Sequence, residues 1–109
     1  MIPQRIPQQK RSGLIYATEA DIINLALFNM TAREWKEIYP STKGNMRDHA
    51  TLEQLLVLAN LESINAHMIR NGLSRDERVI RLNEAAITNM QSILNSPSLP
   101  YLPASGDEL

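Results

Sequence analysis

Between two proline-bearing ends, apolar and polar positions alternate with a period near 3.6 residues, the signature of helices rather than strands. At the head of four such runs, Ser or Thr is paired with Asp, Glu or Gln three residues later: Thr18/Asp21, Thr31/Glu34, Thr51/Gln54 and Ser74/Glu77. Each pair can satisfy the free amide groups of a helical first turn, and each opens a run rich in Leu, Ile, Ala and Glu. The pattern predicts an all-α domain with helices over residues 19–28, 32–39, 52–71 and 75–94. Asn29 and Gly72 tolerate positive φ and stop the first and third helices, and Pro40 stops the second. With only Gly72 and its neighbours between them, the last two helices form a long antiparallel hairpin, preceded by two short helices.

Read at 100° per residue, the fourth helix has a wide apolar arc (Val79, Leu82, Ala86, Ile93, Ile80, Ile87, Leu94, Met90). Its solvated back carries Glu77, Arg81, Glu84, Thr88, Gln91 and Ser92. The third helix carries two apolar stripes. Leu52, Leu55, Leu56, Ala59 and Ala66 form one, expected to face the domain's own core; Val57, Leu61, Ile64 and Met68 form the other, expected to face a partner. The first helix is apolar almost all round. A small chain has little surface with which to cover both helices, so the expected interface is Ile22, Leu25, Phe28, Val57, Leu61, Ile64 and Met68, meeting a second copy or another protein.

Composition narrows the chemistry. Leu, Ile, Val and Phe make up about a quarter of the 109 residues, enough for a core. The net charge of −1 argues against nonspecific nucleic-acid binding by the whole chain, and zero cysteines exclude disulfides and thiolate chemistry. There is no span for a bilayer and no apolar signal core after Met1, which gives the expectation of a soluble, cytoplasmic protein. Residues 1–13 hold Arg5, Lys10 and Arg11 without an acid and read as a flexible basic arm; residues 95–109, with Pro97, Pro100 and Pro103, read as a Pro-rich tail whose end is mobile; residues 14–94 are the helical domain.

Candidate chemistry is sparse. His49 and His67 lack metal-ligand spacing, Glu53, Asn60 and His67 form a seam seven residues apart, and Trp35 reads as core. No catalytic residue, metal site or cofactor is expected. An enzyme would have to build its site from His49, Asp48 and His67, which show no acid–base or nucleophile spacing. Arg33 and Lys36 on the second helix, with Lys43 and Arg47 in the 40–49 loop, are the residues that would touch a nucleic acid or an anion, aided by the arm. Glu34 and Glu37 offset the first two.

The runs YATEADIINLALFNMTAREW (Tyr16 to Trp35), KGNMRDHATLEQLLVLANLESINA (Lys43 to Ala66) and LSRDERVIRLNEAAITNM (Leu73 to Met90) carry a resemblance. The stretch from Leu14 to Gln91 resembles the C-terminal region that follows the KilA-N domain in bacterial and phage KilA-N proteins. That domain is a DNA-binding module of phage antirepressor-like and poxvirus proteins and lies N-terminal to such a region, so any nucleic-acid contact would come through it. The resemblance implies a phage-derived or regulatory context and no catalytic or ligand residues. The function expected is a non-enzymatic helical interaction or oligomerisation module; the alternative is direct DNA binding through the first two helices and the arm.

Overall fold

In the computed structural model, which describes residues 2–11 and 14–95, the chain is all-helical. The main helices are α1 (Glu19–Phe28), α2 (Ala32–Ile38), α3 (Leu52–Arg70) and α4 (Arg75–Leu94). One helical turn (Gln8–Arg11) and two 3-10 turns (Leu14–Tyr16 and Met46–His49) complete it. Thr18, Thr31 and Thr51 each accept from the backbone amide three residues on, and Asp21, Glu34 and Gln54 return the bond, so three of the four expected boxes are reciprocal. Ser74 makes only its own half, toward Glu77. A further box, Asn45 with Asp48, starts the second 3-10 turn inside the expected polar loop.

The helix ends follow from local chemistry. Asn29 sits at φ 61° and donates its amide to Leu25. At the hairpin turn Gly72 has φ 78°, its N–H donates to the Ile69 carbonyl and the Leu73 N–H to Met68, the two bonds of a Schellman turn. The α3/α4 hairpin is therefore sharp. α1 docks into it, packing on both α3 and α4, and the three helices share a core centred on Ile22, Val57, Leu61, Val79, Leu82 and Met90.

This docking reverses the expected roles of the two α3 stripes. Val57 and Leu61 are 1% and 0% exposed and Met68 is buried, because α1 and the apolar arc of α4 both press on that side. Ile22 and Leu25 are buried, while Phe28 and Ile64 pack half-buried against the same core. All seven residues expected at an interface thus belong to the interior of one chain. The stripe expected inside is left out.

The arm also differs from the free segment its composition suggests. Beside the buried residues of α1, Ile6 of the arm and Leu14 just after it join the core, with the Ile6 N–H held by Asn83 of α4. The expected Pro-rich tail lies, past Asn95, outside the described residues. Among the described residues, no helix is long and apolar enough to cross a membrane.

Candidate interaction surface

The Thr51 cap fixes the rotation of α3, and one helical line opposite Leu61 then runs through Leu52, Leu56, Ala59, Ser63, Ala66 and Arg70. Leu52 is 70% exposed, Leu56 49% and Leu55 43%. Beside Leu56, where the start of α3 meets the end of α4, a cleft of about 220 Å³ is lined by Val57, Asn60, Asn89, Ser92 and Ile93. The Asn89 Nδ2 group is buried there and finds no acceptor among the described residues. Three clustered leucines, next to an unmatched amide donor, are a surface that the described residues leave uncovered.

A second apolar nook lies beside α2. Trp35, expected in the core, is half-buried and forms one wall of a cavity of about 290 Å³ shared with Phe28, Met30, Tyr39 and Met46. α2 contributes no buried residue; its main packing partner is the Met46–His49 turn. The His49 ring stacks on Trp35 with centroids 5.4 Å apart, and its Nε2–H donates to the Lys43 carbonyl at 2.8 Å. Asp48 is spent on capping Asn45. His49 and Asp48 therefore hold the loop, while His67 stands exposed on α3. Among the described residues, no three His, Asp or Glu side chains converge in a metal-binding group.

The four cations expected to touch a nucleic acid or anion do not converge either. Arg33 pairs with Glu37 at 3.7 Å and Arg47 with Glu62 at 3.1 Å. Lys36 donates to the Thr42 carbonyl and lies over the Trp35 ring, 5.8 Å from its centroid. Lys43 is exposed. On the arm, Lys10 donates to the Asn29 carbonyl and pairs with Glu34 at 3.8 Å, and Arg5 reaches Glu84 at 3.6 Å.

Two polar centres inside the fold escaped the reading of the sequence. Arg78 is buried on α4, paired through Nη1 and Nη2 with both Glu19 carboxylate oxygens and bonded to Asn65 Oδ1 at 2.9 Å and the Leu73 carbonyl at 3.1 Å. The Arg78 hydrogen bond, against the opposing pull of burial and with help from Asn65, holds the Glu19 carboxyl below its ordinary pKa. The second centre is Asn83, whose amide bonds to the arm and to α1. A signal for both existed: Asn65 stands between Leu61 and Met68, and Asn83 between Val79 and Ala86, at core spacing.

Comparison with protein-family models, curated proteins and solved structures finds no match to this chain.

Proposed function

We propose that this chain is a non-enzymatic self-association module of a KilA-N-type regulatory or phage-derived protein, and that the leucine cluster at the start of α3 is where a second copy docks. The observation that carries this reading is the exposure of Leu52, Leu55 and Leu56 beside the unsatisfied Asn89 donor. A two-fold contact sets a patch against itself, so it must be free of like-charge repulsion. This one qualifies: its flank holds the mutually neutralised Arg47–Glu62 pair. Support for a role without catalysis comes from the local duties of His49 and Asp48. Support for the regulatory context is the resemblance of Leu14 to Gln91 to the region after KilA-N domains. Direct DNA binding through α1, α2 and the arm draws no comparable support, since most of its cations are paired with acids or carbonyls of the same chain.

Sedimentation over a concentration series tests the proposal. The wild type is expected to form a dimer, and the Leu52→Glu/Leu56→Glu chain to associate far more weakly with the same helical circular dichroism. A wild type that stays monomeric at every concentration overturns it.

A further inference from the structure

The arm is held in an unusual way for a basic, proline-bearing segment. The buried Asn83 side chain accepts from the Ile6 N–H at 3.1 Å and donates to the Gln4 carbonyl at 3.0 Å, while also donating to the Ala26 carbonyl at 2.9 Å. Asn29 adds a second donor to the Gln4 carbonyl at 3.4 Å. One amide thus treats residues 4 and 6 as a strand edge treats its neighbour, through main-chain groups any sequence possesses. Among the described arm residues, one side chain is read by burial, that of Ile6. Pro7 keeps Ile6 extended, and Arg5 turns outward to Glu84. Main-chain bonds for affinity and one pocket for selectivity are how grooves receive extended peptides.

The sequence of the arm repeats what the pocket reads: Ile2-Pro3-Gln4 is followed by Ile6-Pro7-Gln8. Ile2 is exposed, at the rim of a cleft of about 350 Å³ between arm and body, with Leu27, Phe28 and Gln54 on the body side. The seat is therefore wider than the segment lying in it.

We propose that the groove between α1 and α4 is a receptor for an extended Ile-Pro segment, filled here by the chain's own arm in cis, and that it takes the arm of a second copy in trans. The same bonds serve either arm, so exchange between copies needs no new surface. This contact is separate from the leucine cluster of α3 and stands or falls without it.

The test uses the full chain carrying Ile6→Asp, which withdraws the anchor and leaves the groove walls intact, titrated with a fluorescent heptapeptide of residues 2–8. Saturable binding is expected, weakened roughly tenfold when Asn83→Leu is added, because two main-chain bonds are lost. A heptapeptide carrying the same Ile6→Asp change is expected not to bind. If Ile6→Asp costs the chain its helical signal, Ile6→Ala serves under the same criteria. Exchange itself is read by energy transfer between donor- and acceptor-labelled chains that carry Leu52→Glu/Leu56→Glu and an intact arm. Transfer is expected, and excess heptapeptide is expected to abolish it. Absence of binding up to about 1 mM, the effective concentration a short tether gives, overturns the proposal. So does binding indifferent to Asn83→Leu, or transfer that is absent or untouched by the peptide.

Discussion

Arg78 is the residue with most at stake. Its guanidinium is buried and its charge is answered by Glu19, with Asn65 and the Leu73 carbonyl completing the shell. Glu19→Ala leaves that cation in a low-dielectric site with neutral partners only, an expected loss of about 2 kcal/mol in urea unfolding once screening of the half-exposed carboxylate is discounted. The pH dependence has a definite sign. The Glu19 pKa is lowered on folding from its ordinary 4.5, so the folded state binds this proton less readily than the unfolded chain. The stabilisation is fully present above that ordinary value and is lost as pH falls through the lowered folded one. Melting temperatures of the wild type are expected to drop in that acid window, and Glu19→Gln to flatten the drop.

At the level of elements, the two α3 stripes are expected to answer a charge in opposite ways. Leu61→Glu puts an unpaired carboxylate into the centre of the core and abolishes the folded state, whereas Leu55→Glu leaves the far-ultraviolet circular dichroism and its melting nearly unchanged. The turns divide similarly. Gly72 at φ 78° has open space around an added Cβ, so Gly72→Ala carries only the backbone penalty of about 1 kcal/mol. At Gly44, φ 84°, the added atom would come 2.6 Å from Asp48 Oδ2, so Gly44→Ala also breaks the Asn45–Asp48 box and is expected to free His49 from Trp35, read as a shift in Trp35 fluorescence. Helix starts, the Asn29 and Gly72 stops and the hairpin were legible in the sequence because each is settled within a few residues by hydrogen bonding and φ. Which α3 stripe faces inward was not, because periodicity finds apolar faces without knowing where α1 docks. The interface therefore fell on Val57, Leu61 and Met68 rather than on Leu52, Leu55 and Leu56. Trp35 was misplaced for a related reason: α2 is too short and too peripheral to bury it.

For the molecule as a whole, α1 is the shared keystone of the core, with Ile22, Ile23, Leu25, Ala26 and Leu27 all buried. Ile6 and Leu14 complete that core beside the three helices, so a segment that composition marks as a basic linker contributes a side chain to the interior. The hydrogen bond from Ile6 to Asn83 joins positions 77 apart in sequence, whereas the hairpin closes through a turn of a few residues. Local closure comes early and distant closure late. The seat for Ile6 exists only once α1 has met α4, so the arm settles after the barrier is crossed. Ile6→Ala, an expected loss of about 2 kcal/mol, should steepen nothing on the refolding limb of a chevron and appear almost wholly as faster unfolding. The arm thus sets how long each folded molecule lasts, while the three helices set how quickly it forms.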